Sequence, residues 1–328
     1  MSGVKGLRKL PVGSETTSGT AVAASTVWAG PAESIEDGRD LRFVPQDIGR
    51  LSDSTRTSTT RLGASMEMPE QVATFEQIDY VLGSALGAPI ESTDGSARVR
   101  EYTLPYTTVI TPVTRTLECG DNQAAYEMEY SFVDGFKISG KAEDNVMLSA
   151  NWVGRQKTVT TFTAGQTPPA DVEELVFGKT KFYVDDTTVG ATQRTNSLIA
   201  YELDVQPGTT ARYAADGALT FTGVRQGKPT ATLTLTMEHD TAGATESTNF
   251  ANETKRLVRL HCEGATLTTA GTYFTTKALR IDACGKWEQI GKLGDDNGDD
   301  TVEGALHVVD DGTNFLRIYV ANLVPVLP

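Results

Sequence analysis

The chain has 328 residues, 39% hydrophobic and 22% charged, a balance that supports a folded core and argues against wholesale disorder. Its formal charge is −14, from 29 basic and 43 acidic residues. That argues against a DNA-gripping protein, which needs excess Lys and Arg to displace counterions from phosphate, but suits a surface past which DNA slides without sticking.

Residues 1–19 are polar and rich in Gly, Ser and Thr, so they are expected to form a flexible N-terminal arm that orders against something else. Residues 20–28 form the first structured stretch, ended by Gly30-Pro31. Residues 31–58 read as a long connection full of charges and turn formers, and such loops are usually functional or disordered. Its apolar residues Leu41, Phe43, Val44, Ile48 and Leu51 speak against plain disorder. Residues 61–68 alternate apolar and polar with the period of a half-buried strand. Thr74 and Gln77 have capping-box spacing, and Phe75, Ile78, Leu82, Ala85 and Leu86 make one apolar helical stripe, stopped by Gly87 and Pro89. Residues 124–157 carry the clearest β pattern and predict three antiparallel strands, with a tight turn or bulge at Asp134-Gly135.

In the second half, strands are expected at 198–205, 231–238, 273–284, 286–293 and 303–324, with a short helix at 249–258. Turns are expected at 294–300 and 310–314, and an apolar patch lies at 218–221. The halves share a plan of strand, long loop, strand, helix and hairpins. Residues 40–49 sit where 201–208 sit, 61–68 match 230–237, and 74–86 match 249–260. The expected fold is therefore mainly β: an antiparallel β-sandwich or barrel with a flanking α-helix, duplicated in tandem as residues 20–165 and 166–328. The alternative is a single enlarged sheet domain with decorations.

No motif assembles a nucleophile, a base and an orienting group, so no enzymatic activity and no cofactor are expected. His239, His261 and His307 are far apart in sequence, and Cys119, Cys262 and Cys284 form no CxxC pair, which favours reduced structural thiols. The acidic run 295–300 lacks the Gly and Glu of a Ca²⁺ loop at the required places and reads as a solvated hairpin tip, so no metal is expected. Asp185-Asp186 and Asp310-Asp311 are adjacent residues that would point to opposite faces of a strand, and turn chemistry explains them. No signal peptide and no apolar run near the ~20 residues of a membrane span is present, so a soluble protein is expected.

The run Tyr126-Glu127-Met128-Glu129-Tyr130-Ser131-Phe132-Val133-Asp134-Gly135-Phe136-Lys137-Ile138-Ser139-Gly140, followed by Val146-Met147-Leu148-Ser149-Ala150-Asn151-Trp152-Val153-Gly154-Arg155-Gln156, resembles the tail tube proteins of long, flexible-tailed bacteriophages. So do the opening strand from Gly19 to Trp28 and the segment Glu67-Met68-Pro69-Glu70 that leads into the helix. The resemblance covers about residues 17–157 and continues over 180–328 mostly as pattern.

It implies a subunit of stacked rings forming a hollow tube through which genome DNA passes. A chain with the fold twice implies three subunits in a pseudo-sixfold ring, with a hexamer of single folds as the other form. The partners implied are other copies, the tape measure, tail terminator and tail-tip proteins, and double-stranded DNA in transit, with no membrane. The location implied is the virion, after synthesis in the host cytoplasm. A β-sandwich adhesin or receptor-binding component of a virion is the alternative function. Stacking requires two different complementary surfaces, and the long loops offer candidates: Ile35, Asp37, Arg39, Phe43, Ile48, Arg50, Leu51, Arg56, Tyr213, Leu219 and Phe221. Candidates for an acidic bore are Glu127, Glu129, Glu238 and Asp282, whose other reading is a plain solvated face.

Overall fold

A computed structural model describes residues 2–51, 56–104, 107–296, 298–313 and 315–327. The fold is mainly β, and among the described residues every strand pairing is antiparallel. In chain order the first half contains β1 (Pro11–Ser14), β2 (Thr26–Val27), β3 (Glu36–Asp37), β4 (Asp40–Val44), β5 (Arg56–Arg61), β6 (Ala64–Val72), α1 (Ile78–Leu86), β7 (Ile90–Asp94), β8 (Ala97–Thr103), β9 (Arg115–Gly120), β10 (Ala125–Lys141), β11 (Met147–Gly154) and β12 (Lys157–Thr160). The second contains β13 (Thr180–Asp185), β14 (Gln193–Arg194), β15 (Leu198–Gln206), β16 (Thr209–Arg212), β17 (Gly223–Gln226), β18 (Thr230–Glu238), α2 (Thr241–Ala251), β19 (Arg256–Thr266), β20 (Thr276–Ile290), β21 (Gly294–Asp296), β22 (Asp299–Val308) and β23 (Leu316–Asn322).

The organising element of each half is one long strand. Residues 125–141 do not turn at Asp134-Gly135; the register against β11 shifts there, so Asp134 is a bulge within a 17-residue strand. β20 likewise runs through Gly285 for 15 residues with a shift between Trp287 and Gln289. The N-terminal part of β10 pairs with β9 and β12, and its C-terminal part with β11. The strand thus passes from one sheet into another, through a second irregularity at which Tyr130 has φ 53°. Positive φ is costly for an aromatic residue, and Glu15 holds it by accepting the Tyr130 N–H at 2.7 Å.

The pairings of the first half recur in the second. β1 with β2 and β9 corresponds to β13 with β14 and β19. β6 with β3 and β11 corresponds to β18 with β15 and β22, and the hairpin β4–β5 to β16–β17. β10 with β9, β11 and β12 corresponds to β20 with β19, β22 and β23. The matching element for β4 is therefore β16, not residues 201–208, of which 201–206 belong to β15 and answer β3. Residues 61–68 also shift: through Val133–Trp152–Met66 and Trp287–Leu306–Leu233, Met66 answers Leu233.

The halves do not hold separate cores. β10 pairs with β15, β8 pairs with β23, and one buried cluster runs from Leu10 through Phe136 and Leu203 to Val320. At the seam, Asp79 of α1 accepts hydrogen bonds from Arg100 of β8 (3.2 Å), Tyr102 (2.9 Å) and Asn322 of β23 (3.0 Å). Lys277 of β20 donates to Glu76 beside α1 at 2.6 Å.

Several local expectations change. The N-terminal arm ends earlier, because Leu10 and Val12 are buried and β1 pairs with β9. The helix starts at Ile78, and no capping box forms. The Gln77 amide instead donates to the Val27 carbonyl and accepts from Ala29 N–H, both at 2.9 Å, and the buried Thr74 hydroxyl has no hydrogen-bond partner among the described residues. The second helix spans 241–251, capped by Asp240, which accepts the Gly243 N–H at 2.7 Å; Leu257 and Val258 are buried in β19. Asn314, in the turn expected at 310–314, lies outside the described residues.

Candidate functional site

Four strands from each half make one continuous sheet in the order β3–β6–β11–β10 and β15–β18–β22–β20. Successive side chains on a strand point to opposite faces, so each strand supplies one residue in two to the core. Met66, Met68, Leu148, Ala150, Trp152, Phe136, Ile138, Leu203, Leu233, Leu235 and Leu306 do so and are buried. At about 1.5–3 kcal/mol for each large apolar side chain, this packing fixes which residues remain outside.

Most outward residues are short or acidic, and the basic residues Lys137, Lys141 and Lys286, with His307, share the face. Ser149, Asn151, Thr232, Thr234, Thr236 and Ala305 keep the surface low, while Glu67, Glu70, Glu202, Asp204 and Glu303 charge it. Lys137 stands among them at the junction of the halves. Its ammonium reaches Glu202 at 2.9 Å and Asp204 at 3.1 Å across the β10–β15 pair, and those hydrogen bonds raise its pKa. The Ser139 hydroxyl donates to Glu70 at 2.8 Å.

Of the four residues expected to line a bore, Glu238 has the outward parity of this sheet, at the end of β18. The other three lie elsewhere. Glu127 and Glu129 are in the N-terminal part of β10, in the sheet with β9 and β12. Burial raises the pKa of both, with neighbouring carboxylates adding to the effect; at Glu129 the Arg155 charge and the Gln156 side chain oppose it. Asp282 is buried against two guanidinium groups: both its oxygens accept from Arg259, at 2.6 and 2.8 Å, and Arg280 lies 3.6 Å away. Glu67, Glu70, Glu202 and Glu303 share this outward face and were not among the four, although the Thr232-Thr234-Thr236 alternation marks the same face.

The expected contact residues also divide. Ile35 is buried in the core, because β3 turns it inward beneath β6. Arg39 pairs with Asp37 of β3 at 3.6 Å, and both are exposed. Phe43, Ile48, Arg50, Leu51 and Arg56 are exposed on or beside the β4–β5 hairpin; residues 52–55 of that connection lie outside the described residues. The second hairpin is used within the chain. Phe221 is fully buried against Tyr130 and Phe132, Tyr213 donates to the Leu62 carbonyl at 3.2 Å, and the Leu219 carbonyl accepts the Leu62 N–H at 2.9 Å.

Among the described residues no group of three or more His, Cys, Asp or Glu is placed to hold a metal ion, and Asn297 of the acidic run lies outside them. The three cysteines are buried, and burial pushes each thiol up to about 11. Among the described residues no helix is long and apolar enough to cross a membrane. No family model and no curated protein matches the chain.

Proposed function

We propose that this chain is a structural virion protein that self-assembles into stacked rings, forming the hollow tail tube through which DNA leaves a long-tailed bacteriophage. The observation that carries this reading is the eight-stranded sheet, in which one four-stranded unit occurs twice, side by side, with unlike edges at β3 and β20 that are open among the described residues and a low outer face on which carboxylates outnumber ammonium groups. Unlike edges generate head-to-tail contacts, and these close into a ring when the repeated rotation permits. An acidic wall of short side chains repels phosphate and offers DNA few groups to grip.

Three two-unit chains would give a pseudo-sixfold ring. In the virion such rings would stack on one another and meet the tape measure, terminator and tail-tip proteins. The β4–β5 hairpin, with Phe43 62% exposed, supplies an apolar contact for that purpose. Negative-stain electron microscopy of the purified protein, alone and with a tail-tip complex, is expected to show rings or tubes about 10 nm wide, a width of a few sheet layers around a channel. A protein that stays monomeric at high concentration in both samples would sink the proposal.

A further inference from the structure

Deepening the ring reading on which it rests, we propose that the end of β20 pairs with β3 of a second copy of this chain, in the register by which β10 pairs with β15. The internal junction supplies the template. There Lys137 lies opposite Asp204, and Phe136 opposite Val205. In the repeat, Val133 and Trp287 hold equivalent places, with the bulge following each, so Gly291 takes the place of Lys137. Gly291 donates its N–H to Glu303 at 2.7 Å, which is the pairing that Lys137 makes with Ser149. On the other side, Glu36 lies opposite Ser65 as Asp204 lies opposite Thr232, so Glu36 takes the place of Asp204. Carrying the junction from one chain to the next therefore sets Gly291 opposite Glu36 and Ile290 opposite Asp37.

Both edges are open. Among the described residues β3 pairs only with β6, and the 286–290 part of β20 only with β22. Glu36 and Asp37 are exposed, as is Lys292 beside Gly291. An open strand edge is a template for another chain, and here the chain already contains the segment that fits it.

The joint between chains has fewer supports than the joint within one. Gly291 cannot reproduce the Lys137 clamp. The β7–β8 hairpin, which seals the inner joint by pairing with β23, is inserted only in the first half. Rings are therefore expected to come apart into whole chains.

The test is a cysteine pair across the joint, Glu36→Cys with Gly291→Cys, and separately Asp37→Cys with Ile290→Cys. Opposed residues on antiparallel strands alternate in spacing, so one of the two pairs has the shorter separation that suits a disulfide. The native cysteines are buried and leave a quiet background. After mild oxidation, at least one double variant is expected to lose its monomer band to covalent oligomers that a reductant dissolves, while each single variant stays monomeric. Tubes seen by microscopy without cross-linking in either pair would overturn the joint but not the tube. Cross-linked rings that never stack would overturn the tube and keep the joint. Monomers without cross-links would overturn both.

Discussion

Asp79 shows how a single buried residue ties the two halves. It is wholly buried, and burial pushes its pKa from 3.8 up to about 6, although Arg100, Tyr102 and Asn322 all act to lower it. A folded-state pKa above the unfolded one means that the folded protein binds the proton more tightly. The contribution from this group is full below about pH 4 and is lost as pH rises from 3.8 through about 6. Above that range the carboxylate depends on Arg100, itself buried and also bonded to Glu91 and Asn322. Arg100→Leu leaves a buried carboxylate without its cation, a loss of about 3–5 kcal/mol at pH 7.5. The loss is expected to shrink at pH 5, where Asp79 can take up a proton. Urea unfolding of both proteins at the two pH values checks this; an equal loss at each pH would show that Asp79 does not carry the dependence.

At the scale of elements, the two hairpins show one device in two settings. Phe221 beside β17 is buried between Tyr130 and Phe132, whereas Phe43 of β4 stands exposed. Phe221→Ala is expected to cost about 3–5 kcal/mol of stability, the range for deleting a core aromatic. Phe43→Ala is expected to stay within about 0.5 kcal/mol of the parent in the isolated chain. If the first hairpin serves assembly, Phe43→Ala should lower the yield of tubes counted by microscopy while the unfolding midpoint stands still; a large stability loss there would refute that division of roles. Much of this was legible beforehand. The alternation that placed Met66, Met68, Leu148, Trp152, Leu233 and Leu235 inward follows from strand period alone. The fused strands were less legible, because Asp134-Gly135 fits a tight turn or a bulge locally, and only the pairing with β11 on both sides of it makes it a bulge. The capping box failed for a similar reason: Val27 and Ala29, about fifty residues away in sequence, claim the Gln77 amide. The second helix presents little apolar surface, with only Gly243 and Glu246 buried, so its stripe could not be read.

For the whole molecule, the decisive property is which face of which sheet carries charge, and that property is not local. Glu127 and Glu67 alternate in the same way along their strands, yet only Glu67 lies on the outer face of the eight-stranded sheet. Membership of that sheet comes from pairings across the chain, which neither residue announces. If this face lines a channel for DNA, its charge should govern passage and leave assembly alone, because Glu67, Glu70, Glu202 and Glu303 lie on its solvent side. Replacing Glu67, Glu70 and Glu303 by Lys would change each unit charge from −1 to +1 while keeping Glu202 and its contact with Lys137. Tubes of this variant are expected to form as well as the parent's and to retain short duplex DNA on sedimentation at low salt, where the parent's retain none. The retained DNA should be released steeply as salt rises, since each phosphate neutralised by a Lys releases condensed counterions. Parent and variant tubes that treat DNA alike would place the bore on another surface, and the acidic face would then be an ordinary solvated exterior.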